Sequence, residues 1–316
     1  MRFVPSLWDR CLLRRDVLWN VFEHAENVLF SYNYIRSVPP DQVREKLKIP
    51  DNVKIWIDSS GFQIGKKLYP QISIFELYDY QHHSADVAFT LDIPGDYEQT
   101  YKNAIRMLAY ARGKGYGPKI YAVVTCDGNI DIAEKLARKY EEWDFDGIAI
   151  GPPISLGAID FKLITRLIAR IKKAASKPIH VFGVGSYDLI YLLAALDVDS
   201  FDSAKFIHGA KWREYHFPRG SIIYLGNNYK ERRRGFWEGE LPCTCPVCQK
   251  LRRAEEFQKS RAESVAYLAL HNFYVMRNEV KLIEMAKRGG WFHRLLKEQA
   301  GKSIRLRQVL EDIKLF

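Results

Sequence analysis

The sequence is poor in cysteine and has no long apolar run, and each scarcity excludes a class of protein. Only five of the 316 residues are cysteine, too few for the disulfide framework of a small secreted scaffold. No stretch approaches the ~20 apolar residues of a membrane span, and residues 1–19 break their apolar positions with Asp and Arg, unlike a signal peptide. An early GxGxxG and a P-loop are missing as well. The missing GxGxxG and P-loop disfavour an open doubly wound sheet, whereas the other absences predict a cytoplasmic protein that does not contact a membrane.

The charge balance is basic, with 48 Lys and Arg against 38 Asp and Glu and a formal net charge of +10. Such a balance favours a polyanionic partner, most simply nucleic acid, and a generally basic proteome is the alternative. The basic runs concentrate in the C-terminal third, at residues 227–240, 249–263 and 283–308. They share this region with Trp237 and Trp291, so an anion-binding surface and ordinary solvated helix faces both stay open.

Three of the cysteines fall within six positions, at Cys243, Cys245 and Cys248 in LPCTCPVCQK. A disulfide would leave one of them unpaired and would close a loop too small to add much stability. Tetrahedral zinc commonly takes three cysteines and one histidine, and we expect His271 as the fourth ligand, with His293 as the alternative. Since no ligand position would stay open, the prediction is a structural Zn²⁺. Free buried thiols are the competing interpretation.

Short apolar or β-branched runs recur along the chain and alternate with segments of helical period. The runs occupy residues 28–32, 53–58, 87–92, 119–125, 147–151, 179–185, 200–204 and 221–226. Continuous apolar runs of this length suit parallel strands that are buried on both faces. About eight strand–helix units predict an α/β fold, a (β/α)₈ TIM-like barrel, with an open doubly wound sheet as the alternative. We assign the barrel to residues 1–226, and a zinc-binding subdomain with C-terminal helices to residues 227–316.

The rule that a barrel carries its functional groups at the C-terminal ends of its strands selects candidates directly. It selects Asp58, Asp92, Thr125, Cys126, Asp127, Gly151, Gly183, Gly185 and Asp202. Each of the strand-end carboxylates Asp58, Asp92 and Asp202 could simply cap a helix. Three caps at one mouth are a less economical explanation than an acid–base site.

Three segments, in this order, resemble the tRNA-guanine transglycosylase family. WIDSSGFQIG is similar to the family's DSGGFQ segment, and PIHVFGVG with the later SFDSAKF resembles its HxxGxG and FDS/C-A/V segments. The cysteine cluster followed by LHNFY resembles its CxCxxC…H zinc site. Together they span residues 53–275. The resemblance implies a barrel with a zinc subdomain, a homodimer, and exchange of guanine in a nucleic acid for a 7-deazaguanine base through a covalent intermediate.

The resemblance also implies roles for the strand-end residues. Asp202 would be the nucleophile at ribose C1′ and Asp58 the general acid/base, as in a retaining glycosidase. Asp92 would accept hydrogen bonds from the base, Phe62 and Phe182 would stack on its faces, and the backbone at Gly151 would read its carbonyl. The complete set implied to bind the base is Ser59, Phe62, Asp92, Thr125, Asp127, Gly151, Phe182, Gly183 and Gly185. Zn²⁺ is the only cofactor implied; no organic cofactor takes part.

The sequence departs from the family pattern at several points. Ser60 replaces a glycine, VVTCDGN replaces the usual VQGG so that Thr125 or Asp127 must stand in for a glutamine, and Pro152 and Pro153 enter a glycine-rich loop. The segment before Asp58 is also shorter than in bacterial enzymes, and the C-terminal RNA-binding module of archaeal enzymes is not expected here. These departures favour DNA as the substrate and 7-cyano-7-deazaguanine as the incoming base. The alternative is a tRNA enzyme of the archaeosine or queuosine type.

Two other classes of protein fit the sequence less well. A non-catalytic accessory subunit of such an enzyme would lack the nucleophile, whereas Asp58 and Asp202 are both present. An unrelated aldolase-like barrel would need a Schiff-base lysine, for which Lys205 is the nearest candidate. Cys126 could be a nucleophile, but no base is evident for it. His180 is interpreted as a core histidine.

Overall fold

The computed structural model describes residues 1–7, 21–61, 72–125, 128–151, 154–155, 158–225, 239–253, 256–257 and 261–315. In these ranges the strands are β1 (Arg2–Pro5), β2 (Asn27–Ser31), β3 (Lys54–Asp58), β4 (Val87–Phe89), β5 (Lys119–Val124), β6 (Gly147–Ile150), β7 (Ile154–Ser155), β8 (Ala158–Ile159), β9 (Ile179–Val181), β10 (Ser200–Ser203), β11 (Glu214–His216) and β12 (Ile222–Tyr224). The pairs β7–β8 and β11–β12 form separate antiparallel hairpins. The other eight strands form one sheet.

The eight-stranded sheet is parallel throughout and closes on itself. Its order is β1-β10-β9-β6-β5-β4-β3-β2, and its two end strands meet where Ser6 bridges Leu29 in parallel. There the amide of Leu7 donates to the carbonyl of Leu29 at 2.9 Å. The predicted (β/α)₈ barrel is therefore confirmed, and the open doubly wound alternative is wrong.

One of the eight predicted barrel strands is wrong. Residues 222–224 form β12, which pairs with β11 outside the barrel, and the remaining barrel position is filled by β1 near the N-terminus. β1 is only four residues long and begins with an exposed Arg2, so its sequence carries little strand signal. Its place comes from pairing, since Arg2 lies opposite Ser200 and Val4 opposite Asp202.

Helices follow the barrel strands and the β11–β12 hairpin, and those that follow the barrel strands cover the outside of the sheet. They are α1 (Tyr32–Ile35), α2 (Val43–Lys46), α3 (Ile74–Ser84), α4 (Tyr97–Lys114), α5 (Ile130–Glu141), α6 (Phe161–Ala174), α7 (Tyr187–Ala195), α8 (Lys205–Lys211), α9 (Pro246–Lys250), α10 (Arg261–Arg288), α11 (Phe292–Lys302) and α12 (Ile304–Asp312). Local chemistry sets their ends. Asp96 caps α4 by accepting from the amide of Gln99 at 2.8 Å, and α4 stops at Gly115, whose φ of 84° suits glycine.

The barrel interior is filled with large side chains, so it is a packed core and not a pore. Trp56, Phe89, Tyr121 and His180 pack against one another, with ring centroids 5.2–5.9 Å apart. Aliphatic residues from β1, β2, β4, β5 and β6 complete this cluster. The strand-end residues therefore lie next to a layer of closely packed aromatic rings.

The long helix α10 joins the barrel to the cysteine cluster. One half packs among the barrel helices through Met276 and Ile283, and the other half packs with Phe206 and Cys248. The β11–β12 hairpin, which precedes residue 226, also contacts α10: the Asn272 side chain accepts from the amide of His216 at 3.0 Å. The division of the chain at residue 226 accordingly stays a proposal. Among the described residues, no helix is both long and apolar enough to cross a membrane.

Candidate active site and metal centre

Asp58 ends β3 at the mouth of the barrel, beside the end of β2. Its Oδ1 accepts from the Ser31 hydroxyl at 2.8 Å and from the Ser60 amide at 2.7 Å. Burial raises the pKa of Asp58 to about 7, against the lowering effect of these two hydrogen bonds, and the charges of Asp202 and Asp92 raise it further. A carboxyl with this pKa can both give and take a proton near neutral pH.

Asp92 follows β4 and faces the same mouth. The Ser59 hydroxyl donates to its Oδ1 at 2.9 Å, and a Cβ at Gly61 would lie only 2.1 Å from that oxygen. The close approach of Asp92 therefore requires glycine at position 61. Burial raises the pKa of Asp92 to about 6, partly opposed by the Ser59 hydrogen bond. At neutral pH Asp92 remains mainly an acceptor.

Asp202 lies within β10, with only 5 % of its surface exposed. Its Oδ1 accepts from the amide of Gly183 at 2.9 Å, and Gly183 reaches this position with a φ of 66°. The Nε2 of His180 lies 3.5 Å from the same oxygen. The second carboxylate oxygen is thus the one left for a reacting atom.

Asp92 and Asp202 do not cap the helices that follow them. Asp96 caps α4, and the N-cap residue of α8 is Ala204, which has no side chain that could accept a hydrogen bond. The simplest structural explanation of these two strand-end carboxylates therefore fails. The charges of Asp202 and Asp92 both raise the pKa of Asp58, as expected for carboxylates that lie near one another at the strand ends.

The other predicted base-binding residues are only partly described. Phe62, Asp127 and Cys126 lie outside the described residues. Phe182 is half-buried at the mouth, with its ring 4.7 Å from that of Phe89. Thr125 is 5 % exposed, and its hydroxyl oxygen finds no hydrogen-bond partner in the described part of the chain. A buried hydroxyl without a partner is suited to a ligand.

The backbone around the mouth is built by glycines. The amide of Gly151 donates to the carbonyl of Val124 at 3.0 Å, which extends the β5–β6 pairing to the mouth. Gly185 follows Gly183 in the turn between β9 and α7, where an added Cβ would meet nothing within 4 Å. Ser59 is 3 % exposed and directly follows Asp58. These residues lie on the strand ends or turns that carry the three carboxylates.

Sequence reasoning missed three residues of this site. Ser31 and Ser60 hydrogen-bond to Asp58, and His180, interpreted as a core residue, is fully buried but directs its Nε2 to Asp202. The His180 Nδ1 lies 3.0 Å from the Ser200 hydroxyl. Burial lowers the pKa of His180, although Asp202 acts to raise it. Two sequence signals were present, the strand-end position of Ser31 and the replacement of the family's glycine by Ser60.

The predicted metal ligands come together. One donor atom each of Cys243, Cys245, Cys248 and His271 lies within 4.8 Å of the other three, and the cysteines are not joined by a disulfide. The Nδ1 of His271 is 3.4 Å from the sulfurs of both Cys245 and Cys248. In tetrahedral zinc, sulfur and nitrogen ligands are roughly 3.5 Å apart. The cluster therefore fits structural Zn²⁺, and His293, exposed on α11, takes no part in it.

A second layer of contacts orients the metal ligands. The Nε2–H of His271 donates to the carbonyl of His216 at 2.9 Å, which leaves Nδ1 as the lone-pair nitrogen facing the thiols. The Tyr215 ring stacks on His271 with centroids 3.8 Å apart, and its hydroxyl lies 3.3 Å from the Cys248 sulfur. The sequence pattern predicted the four ligands, but not this support from β11.

Lys205 does not suit the Schiff-base alternative. Its Nζ donates to a carboxylate oxygen of Glu214 at 2.6 Å. Burial acts to raise the pKa of Glu214, but hydrogen bonds from His216 and Lys205 overcome it and lower the pKa to about 2. The lysine is thus held in an ion pair with Glu214.

The fold and site define a (β/α)₈ barrel with three mouth carboxylates and a Cys₃His centre. A sequence model of the queuine tRNA-ribosyltransferase (TGT) family matches residues 76–303, and the chain belongs to this family. It is 30% identical to the tRNA-guanine(15) transglycosylase of Aeropyrum pernix over 261 residues, covering 78% of this chain and 49% of that protein. The Korarchaeum cryptofilum protein of the same name is 27% identical over 263 residues, covering 78% and 42%.

These matches cover most of this chain but only part of each relative. A third relative of that name, from Methanocaldococcus jannaschii, is 26% identical over 287 residues, covering 86% of this chain and 42% of the relative. The chain thus spans less than half the length of these relatives. The family match includes Asp92, Asp202 and the zinc-type ligands, whereas Asp58 precedes residue 76. The connection of Asp58 to the site comes from the fold.

Proposed function

We propose that this chain is a guanine transglycosylase that acts on nucleic acid through a covalent aspartyl–nucleotide intermediate. The observation that carries the proposal is the pair Asp58 and Asp202 at one barrel mouth, held by different hydrogen bonds. A base exchange with retained configuration needs one carboxylate that attacks and one group that handles protons. Family membership supports the same chemistry.

In the first half-reaction, an oxygen of Asp202 forms a bond to ribose C1′ while the bond from C1′ to guanine breaks. Asp58 gives its proton to the departing guanine. In the second half-reaction, the incoming base loses a proton to the ionised Asp58, its nitrogen attacks C1′, and the bond to Asp202 breaks. Protons and electron pairs balance, so Asp58 ends protonated and Asp202 free.

Base recognition is assigned to the residues around the three carboxylates. Asp92 accepts from the donor edge of the base, and the hydrogen bond from Ser59 keeps it oriented. Phe62 and Phe182 stack on the ring, Thr125 or Asp127 replaces the family's glutamine, and the backbone of Gly151 reads the carbonyl. Gly183 and Gly185 shape the turn beside Asp202. The target nucleotide must leave its stack to reach a site at the end of a barrel.

For the polynucleotide and the incoming base, we propose DNA and 7-cyano-7-deazaguanine. The support is the altered base-recognition segment, where VVTCDGN stands in place of VQGG, together with the buried hydroxyl of Thr125, which has no hydrogen-bond partner among the described residues. tRNA is the second candidate, because the relatives described above are named as tRNA-guanine(15) transglycosylases. We also propose a homodimer and a cytoplasmic location, where thiolates stay reduced and can bind zinc.

Supply of radiolabelled guanine to the purified protein tests this proposal. tRNA, double-stranded DNA and single-stranded DNA are offered in parallel, and we expect label to enter DNA. Label in tRNA alone would favour the second candidate. If neither guanine nor 7-cyano-7-deazaguanine is incorporated into any of the three, the transglycosylase proposal is wrong. The Asp202→Asn variant is the control for label that stays with the nucleic acid without base exchange.

The pH dependence should differ between the two half-reactions. Since protonated Asp58 is the acid in the first half-reaction, and its pKa lies at about 7, guanine release in a single turnover should fall about tenfold per unit at higher pH. The return reaction needs ionised Asp58 and should rise as the pH passes that value. Single-turnover reactions that are stopped at successive times, between pH 6 and 9, measure the rates of both half-reactions. Parallel pH profiles for the two half-reactions would contradict the assignment of Asp58.

A further inference from the structure

Ser60 has a backbone conformation that its residue type disfavours. Its φ is 62°, in the left-handed region that favours glycine, and the residue is 2 % exposed. A side chain in this conformation is strained, and it persists where the surroundings demand it. The hydroxyl of Ser60 must therefore offset a cost that glycine would avoid.

That hydroxyl lies in a chain of hydrogen bonds with a fixed direction. The amide of Asn33 donates to the Ser60 Oγ at 3.0 Å, and the Oγ atoms of Ser60 and Ser31 are 2.8 Å apart. The Ser31 hydroxyl donates its single hydrogen to Asp58 Oδ1 at 2.8 Å. The Ser60 hydroxyl must therefore donate to Ser31, so the whole chain points from a backbone amide to the carboxylate.

We propose that Ser31 and Ser60 are positioning residues that hold Asp58 with Oδ1 turned into the strand ends and set the pH at which it exchanges its proton. The inference deepens the proposed function, on which its catalytic meaning rests. Among the described residues, both donors to Asp58, the Ser31 hydroxyl and the Ser60 amide, end on Oδ1. Oδ2 is then the oxygen directed to the base, and it is the one that gives or takes the proton.

The physical reason for such a relay is the charge around Asp58. Two carboxylates, Asp92 on the β4 side and Asp202 on β10, face it among the described residues, and His180 lies beside Asp202. Burial and these negative charges favour the protonated form, whereas donated hydrogen bonds favour the ionised form. Polarisation along a hydrogen-bonded chain strengthens its last donor. Ser31 and Ser60 thereby keep the two forms of Asp58 close in free energy.

Carboxyl titration tests the relay directly and needs no substrate. The protein labelled with ¹³C at the aspartate carboxyl carbons is titrated by NMR, and Asp58→Asn identifies the Asp58 signal. We expect Ser31→Ala to raise the midpoint by about one pH unit and Ser60→Gly to raise it by a smaller amount. Because glycine relieves the left-handed conformation, Ser60→Gly should keep or raise Tm.

Two matched controls separate the relay from general effects. Ser84→Ala removes a serine hydroxyl that donates to the carbonyl of Tyr80 at 2.6 Å, at the far end of α3. Lys48→Gly relieves another left-handed residue, with a φ of 52°, away from the mouth. Neither control should move the Asp58 midpoint.

Unchanged Asp58 titration midpoints in both Ser31→Ala and Ser60→Gly would overturn the relay. A lower Tm for Ser60→Gly with an unchanged midpoint would count as the same negative result. If Ser31→Ala does not fold, the midpoint of Ser60→Gly decides alone. In the single-turnover assay, the decline of guanine release should shift to higher pH with the NMR midpoint. A wild-type protein that releases no guanine would contradict the proposed function, while the titration would still decide the relay.

Discussion

Replacement of Asp202 by Asn should abolish the covalent protein–nucleic acid adduct. The amide keeps the shape of the side chain and can still accept from the amide of Gly183, which lies 2.9 Å from Oδ1, but it is a far weaker nucleophile. Loss of a nucleophile lowers turnover on the order of 10⁴-fold or more, while binding should change less than about threefold because the surface charge far from the mouth is unchanged. Denaturing electrophoresis of a reaction without an incoming base measures the adduct.

The control for Asp202→Asn is Asp144→Asn, which removes the same charge from a side chain that is 90% exposed and far from the strand ends. It should form adduct at the wild-type rate. An adduct that persists in Asp202→Asn would assign the nucleophile to another residue. Parallel loss of nucleic-acid binding would indicate misfolding instead, so binding is measured on the same preparations.

Replacement of His271 by Ala should remove the metal and a large part of the stability. The histidine is fully buried, and it links the thiols to the carbonyl of His216 and the ring of Tyr215. Three clustered thiolates, of which Cys248 is buried and the other two are half-buried, repel one another without a cation, and metal-binding energy is folding energy at such sites. We expect bound zinc to fall from one equivalent to nearly none, and Tm to fall by about 8 °C or more.

His293→Ala is the matched control, because His293 was the alternative fourth ligand and lies exposed on α11. Its zinc content should equal that of the wild type. Undiminished zinc in His271→Ala, measured by atomic emission on dialysed protein, would contradict the Cys₃His assignment. Retained zinc with a lower Tm would mean that the histidine supports the fold without coordinating the metal.

The local pattern of apolar residues in the sequence predicted much of the fold. The apolar runs at residues 53–58, 119–125 and 147–151 become buried barrel strands, because parallel strands that are covered on both faces leave no room for polar alternation. The pattern failed at β1, whose four residues include an exposed Arg2. A strand of that length is defined by its partners, here β10 and β2.

The residues of the site also fall into those that the sequence predicts and those that it does not. Asp58, Asp92 and Asp202 follow from a rule of position, since the C-terminal ends of parallel strands meet at one mouth. Ser31 and Ser60 do not follow, because a serine is compatible with almost any exposed or buried position. Their roles depend on distances across the barrel, where residues 27 and 29 positions apart come within 2.8 Å.

By itself, the sequence determined the strand–helix repeat, the three cysteine ligands and the strand-end carboxylates, because each follows from a short-range period or spacing. Only the tertiary structure decided which strand closes the barrel, how His271 is oriented, and what surrounds Asp58. These are properties of contacts between segments distant along the chain. Burial and opposing hydrogen bonds, which place the pKa of Asp58 at about 7, arise only when those segments pack together.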